Sequence, residues 1–138
     1  MRLLNINGKL VYKSVGKKRI NWSKKSRSKL QTQVKVFLKK FWKNHIVYEE
    51  FPVYGSRMKV DLINMTKRIA VEVQGAQHDQ FNKFFHGNSR AKYLRSITRD
   101  YQKRQWLEKN NFTVLEIVPE DMTSLSKRYI REKFDINI

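Results

Sequence analysis

The 138 residues carry thirty Lys and Arg against twelve Asp and Glu, a formal net charge of +18, and no cysteine. A chain of this length forms one domain with a core that needs no staples, and the lack of cysteine excludes disulfide frameworks, thiolate zinc sites and cysteine nucleophiles. No apolar run approaches the roughly 20 residues that cross a bilayer and the N-terminus lacks a signal-peptide stretch, so a cytoplasmic or nucleoid-associated protein with no membrane partner is expected.

The charge is unevenly placed. Residues 1–48 hold fourteen basic residues and no acidic one, whereas residues 49–138 hold sixteen against twelve. A positive block of this kind attracts a polyanion, and each phosphate neutralised adds about 0.9 to the salt slope of binding. Within the block, Leu3–Tyr12 reads as a small hairpin, because Asn7-Gly8 at its centre suits a two-residue type I′ turn. Val15–Arg27 has little to bury and reads as a basic arm, with Lys17, Lys18, Arg19, Lys24, Lys25 and Arg27 as DNA contacts. The expected division is a basic hairpin and arm over residues 1–25 and a folded domain over 26–138.

Ser26–Trp42 is predicted helical. Leu30, Val34, Phe37, Leu38 and Phe41 make the apolar stripe, Lys35, Lys39 and Lys40 lie mostly off it as a cationic ridge, and Ser26 or Ser28 can cap the start. Lys39 and Lys40 join the expected DNA contacts.

Three strand patterns follow, Ile46–Tyr54, Arg57–Ile63 and Arg68–Gln74, each with a carboxylate among apolar residues: Glu50, Asp61 and Glu72. Charged side chains are rarely buried without a partner or a metal. Gly55-Ser56 suits a two-residue type II′ turn that pairs Tyr54 with Arg57 and sets Glu50 opposite Asp61. The loop around Met65-Thr66 is expected to set Asp61 opposite Ala70 and Lys59 opposite Glu72. In that register Glu50, Asp61 and Glu72 converge on one sheet face and Glu49 falls on the other.

Ala91–Asn110 is predicted helical, with Leu94, Ile97, Tyr101 and Leu107 at apolar positions and Asn110-Asn111 able to end it. It carries Arg99, Asp100, Lys103 and Arg104. Phe112–Val118 is a fourth strand and Glu120–Phe134 a last helix. The expected fold class is α/β: a mixed central sheet of antiparallel hairpins plus one parallel crossover strand, flanked by helices.

Converging carboxylates at a strand end bind a hard divalent cation, Mg²⁺ or Mn²⁺, which activates water and stabilises charge on a phosphoryl group. With the basic block, phosphodiester hydrolysis of DNA is the natural expectation. The order Glu50, hairpin, Asp61, then Glu72-Val73-Gln74 and a basic helix resembles the PD-(D/E)xK nuclease superfamily. The longer string Glu72-Val73-Gln74-Gly75-Ala76-Gln77-His78, followed by Arg99-Asp100-Tyr101-Gln102-Lys103 and Trp106, is similar to its branch of very-short-patch-repair-like and EDxHD phage homing endonucleases. That resemblance implies a restriction-endonuclease-like fold. It implies Asp61 and Glu72 as metal ligands, Glu50 as a further ligand or base-positioning group, His78 as ligand or general acid/base, and Asp100 and Lys103 as contributors from the helix. Gln74 stands where the superfamily has its catalytic lysine: a neutral amide orients water but supplies no positive charge, which Lys103 would bring from across the site.

The expected activity is therefore a Mg-dependent, site-specific nicking or homing DNA endonuclease. Two alternatives stand beside it. One is a branched-DNA resolvase, which calls for two active sites and hence a homodimer. The other is a non-catalytic nucleic-acid-binding module on a decayed nuclease fold.

Overall fold

A computed structural model describes residues 1–75 and 90–138. It is an α/β fold around a mixed four-stranded sheet in the order β3 (Val47–Pro52), β4 (Lys59–Asn64), β5 (Ile69–Val73), β6 (Thr113–Ile117). The first three strands are antiparallel, and β6 runs parallel to β5. Among the described residues no helix is long and apolar enough to cross a membrane.

Helices cover both faces. One core cluster gathers Val34, Leu38 and Trp42 of α1 (Lys29–Trp42) and Ile130 of α3 (Lys127–Phe134) against Leu62, Ile69, Val71 and Leu115 of the sheet. The other gathers Trp106 and Leu107 of α2 (Arg90–Lys109) against Phe51, Val60, Ile63 and Ala70. A sheet buried on both faces needs apolar residues at successive positions, and β4 supplies them as Leu62 and Ile63.

The N-terminal hairpin forms from β1 (Arg2–Leu4) and β2 (Leu10–Tyr12). Its turn departs from the expected type I′. The Asn5 N–H donates to Lys9 O and the Gly8 N–H to Asn5 O, with only Gly8 in the left-handed region, the three-residue loop with a glycine bulge. The hairpin is held to α2: Trp106 Nε1 donates to Leu4 O at 2.6 Å, and Asn110 Oδ1 accepts from the Leu4 N–H at 2.8 Å. Trp106→Phe keeps most of the ring volume and removes the indole donor to Leu4 O. It is expected to cost about 1–3 kcal/mol and to speed amide exchange in Leu3–Val11 first. Unchanged exchange there would show that packing alone holds the hairpin.

Val15–Arg27 is ordered rather than a free arm. Val15 is buried, Gly16–Lys18 form a 3₁₀ turn, Arg19 bridges to Tyr48, and the Ile20 N–H donates to Val47 O. The cause is Lys35. Expected on the cationic ridge, it is only 2% exposed, and its Nζ donates to Asn21 O, Lys24 O and Glu49 Oε1 at 3.0, 2.8 and 2.9 Å. The buried face of α1 is thus Gln31, Val34, Lys35, Leu38 and Trp42. The helix starts later than expected, capped by Ser28, whose hydroxyl accepts from the Gln31 N–H.

Three further differences bear on the site. The β3–β4 register is the expected one, but the Ser56 N–H donates to Val53 O and the Val53 N–H to Met58 O, so Gly55 is the third residue of a turn inside a four-residue loop. Its φ of +87° is the reason for glycine there. The β4–β5 register is shifted by two: Asn64 pairs with Ile69 and Leu62 with Val71, which directs Asp61 toward Glu72 instead of Ala70. Asn64 Oδ1 accepting from the Lys67 N–H and a left-handed Arg68 close that loop. Finally, residues 119–134 do not form one helix. Pro119–Ser124 is a 3₁₀ stretch, and Ser126 caps a separate α3. The apolar residues expected to seat α2 also differ: Leu94, Ile97 and Tyr101 are exposed, and only Trp106 and Leu107 of that helix are buried.

Candidate functional site

Where the β4–β5 ladder ends, after Leu62–Val71, side chains take over from the backbone. Asp61 Oδ2 accepts the Val73 N–H at 2.8 Å, and Glu72 Oε2 accepts the Asp61 N–H at 3.2 Å. The two carboxylates therefore lie side by side in the parting between strands. Asp61 is half-buried and Glu72 is 6% exposed.

Burial first and the Asp61 charge second push the Glu72 carboxyl from 4.5 up to about 7, against the pull of Lys103. Lys103 Nζ stands 2.7 Å from Glu72 Oε1, brought from the opposite layer by α2. Gln74, Asp100 and Lys103 line a small cavity with Glu72, as does Glu116, which the parallel register sets beside Glu72 on β6. The Gln74 backbone N–H donates to Ile117 O, which anchors the strand end next to the site.

Glu50 is not brought to the pair as expected. It is the one strand residue of β3 with a left-handed backbone, φ +53°, and that twist breaks the alternation: Tyr48 and Phe51, three apart, enter the same core cluster. Glu49 and Glu50 both turn toward α1, where Gln31 Nε2 donates to Glu49 Oε2 at 2.8 Å and reaches Glu50 Oε1 at 3.4 Å. Glu49 also accepts from Ser26 Oγ and pairs with Lys35. Among the described residues no three His, Asp or Glu side chains gather as a metal cluster.

Of the expected DNA contacts, Lys17, Arg19, Lys24, Lys25, Arg27, Lys39, Lys40, Arg99 and Arg104 are exposed and Lys18 is half-buried. Arg104 faces Glu116 at 3.8 Å. Arg27 and Arg99, 72 positions apart, line one cavity with Lys103 and Asp100. His78 lies outside the described residues, and His45 is structural, its Nδ1 3.0 Å from Asn64 Nδ2. Sequence reasoning missed Glu116, Arg57 and Lys59. The last two sit four and two positions before Asp61, a proximity that was the available signal.

The donor set can be tested against a divalent cation. Mg²⁺ is commonly held by one or two carboxylates, with waters and substrate phosphate completing its shell. Asp61 and Glu72 are two carboxylates of the type such an ion takes: Asp61 Oδ1 accepts no hydrogen bond among the described residues, whereas Glu72 Oε1 is paired with Lys103 and Oε2 accepts the Asp61 N–H, so a cation would have to displace Lys103.

No family model matches the chain, and no solved structure matches it. Over 66 residues it is 35% identical to the uncharacterized protein 033L of Invertebrate iridescent virus 3. That match covers 48% of this chain and 34% of the viral protein, about a third of the relative's length.

Proposed function

We propose that the chain is a metal-dependent DNA endonuclease that acts in the cytoplasm, of the kind its PD-(D/E)xK-like residue order suggests. The observation that carries the reading is the Asp61–Glu72 pair at the parting of two strands, with Lys103 delivered to it from α2. A structural ion pair on a sheet does not require a second carboxylate that drives the first up to about 7.

In this reading Asp61 and Glu72 hold Mg²⁺ or Mn²⁺. The bound cation supplies Lewis acidity toward the phosphoryl oxygens and a water of lowered pKa. Lys103 brings the positive charge that Gln74 lacks, on the side of the cleft where substrate phosphate would lie. Gln74 orients water through its amide, and Asp100 holds the other wall of the same cavity. Glu50, turned toward Gln31 of α1, has no part in this reading, and His78 is kept as a ligand or general acid/base.

Supercoiled plasmid incubated with Mg²⁺, Mn²⁺ or EDTA tests this. The native protein is expected to nick in the presence of metal, and Asp61→Ala, folded and binding DNA, to leave the plasmid intact. Equal nicking by the variant would remove Asp61 from the mechanism. Branched substrates in the same assay separate a nicking or homing enzyme from a resolvase, and a dimer with two clefts favours the latter.

A second reading has its own support. The Lys103 ammonium already neutralises Glu72, and Gln74 is neutral, as a decayed site that only binds nucleic acid would have it. That reading expects tight, salt-sensitive binding with no cleavage of duplex or branched DNA under any metal.

A further inference from the structure

A cavity of about 380 Å³ opens between the residues ahead of α1, the β3–β4 turn with the start of β4, and the middle of α2. Five of its lining side chains are basic, Arg27, Arg57, Lys59, Arg99 and Lys103, and one is acidic, Asp100. They come from three stretches far apart in the chain, so the tertiary fold, not a local run of lysines, assembles the charge. Lys103 is paired with Glu72, whereas Arg27, Arg57, Lys59 and Arg99 make no ion pair among the described residues. Four unpaired cations around one concavity repel each other, and the field they focus there favours an anion.

The cavity is continuous with the reaction site in its walls. Asp100 and Lys103 line both it and the smaller cavity over Glu72. Lys59 and Asp61 share β4, so a ligand gripped by the turn lies along the strand that presents the carboxylate.

We infer that this cleft is a phosphate subsite for the backbone of a DNA strand, adjoining the bond that faces Asp61 and Glu72, with Arg57 and Lys59 as its principal grip. Its place beside the bond to be cut rests on the endonuclease reading; its affinity for the backbone does not. Guanidinium forks suit phosphate oxygens in bidentate fashion, and the cleft has three of them. The volume exceeds what one inorganic phosphate fills and lies in the range of pockets that hold a small organic unit. Asp100 repels an anion laid against α2, which leaves the phosphates to Arg27, Arg57 and Lys59. The basic residues of α1, Lys39 and Lys40, are no part of this lining.

The test is duplex binding without catalysis. A fluorescent 20-base-pair duplex is titrated by anisotropy in EDTA over a series of salt concentrations. The proteins compared are native, Arg57→Ala/Lys59→Ala, and the control Lys127→Ala/Arg131→Ala on α3, all with melting temperatures checked. Lys59, Lys127 and Arg131 are exposed and Arg57 stands in the turn before β4, so folding should survive. The cleft variant is expected to bind about tenfold or more weakly and to lower the slope of log K against log salt by about two, one for each phosphate no longer neutralised. The control should keep more of both affinity and slope. An unchanged slope in the cleft variant, or equal losses in the two variants, would overturn the subsite. A nucleoside monophosphate titrated in the same way identifies the source of the phosphate. Saturable binding that the cleft variant abolishes while its duplex affinity stays native would assign the cleft to a free nucleotide and overturn the strand. Because EDTA removes metal throughout, failure of the plasmid assay leaves this result standing, and failure here leaves metal-dependent nicking to be judged separately.

Discussion

Glu72→Gln is expected to raise the melting temperature at pH 8 and to abolish metal-dependent nicking in the same protein. Glu72 is buried next to Asp61, and those two causes hold its carboxyl at about 7 where an exposed one titrates at 4.5. Between these values the folded chain holds a proton that the unfolded chain has released. Stability therefore falls as pH rises through that window and levels off above about 7. A displacement of this size, the pull of Lys103 already included, corresponds to roughly 3 kcal/mol of ionisation cost; the amide removes that cost but leaves the Lys103 ammonium without its partner. A net gain of about 1–3 kcal/mol, or roughly 3 °C and upward, is expected at pH 8 and none at pH 4, where the native carboxyl is protonated too. Circular dichroism melts at both pH values check it. Equal melting temperatures at pH 8 would mean that leaving Lys103 unpaired costs as much as ionising the buried carboxylate, and that the site stores no net electrostatic strain. A charge that the fold holds at a cost is better explained by chemistry than by stability.

Lys35→Ala is expected to cost as much as emptying a core position, although it removes a charge. Its ammonium, 2% exposed, is the shared donor for Asn21 O, Lys24 O and Glu49 Oε1, and Glu49 is itself largely buried. Removing one partner of such a pair leaves an uncompensated charge and costs about 3–5 kcal/mol, while replacing both partners is far milder. Urea unfolding should show that loss for Lys35→Ala and recovery of most of it in Lys35→Met/Glu49→Gln. The single variant should also bind duplex DNA less tightly, because residues 21–24, Lys24 among them, lose two attachments to α1, while Ser26 keeps its own through Thr32. A cost under about 1 kcal/mol would put the pair with solvent-screened surface ion pairs.

Much of the frame was legible in advance because it is local. Alternation and turn residues marked β3, β4, β5 and β6, apolar spacing marked α1, and a helix between β5 and β6 required the parallel pairing that is observed. The β3–β4 register survived a wrong turn type because a two-residue turn and the four-residue loop found here keep the same partners. Asp61 and Glu72 stood out for a reason that holds at any register: carboxylates in strand patterns need partners.

What the sequence by itself determined is the acid-free basic block, the order and direction of the strands, and the presence of one carboxylate in each of β4 and β5. Only the tertiary structure decided the rest. It set the two-residue shift that joins Asp61 to Glu72, through a left-handed Arg68. It turned Glu49 and Glu50 toward α1 through a left-handed Glu50, buried Lys35, and assembled Arg27, Arg57, Lys59 and Arg99 around one cleft. The physical reason is the same in each case. Period and turn chemistry are written over a few neighbouring residues, whereas a single left-handed residue or a buried charge is tolerated only when distant groups supply its hydrogen bonds. Those partners, from Asn21 to Glu49 and from Glu72 to Lys103, are specified by packing alone.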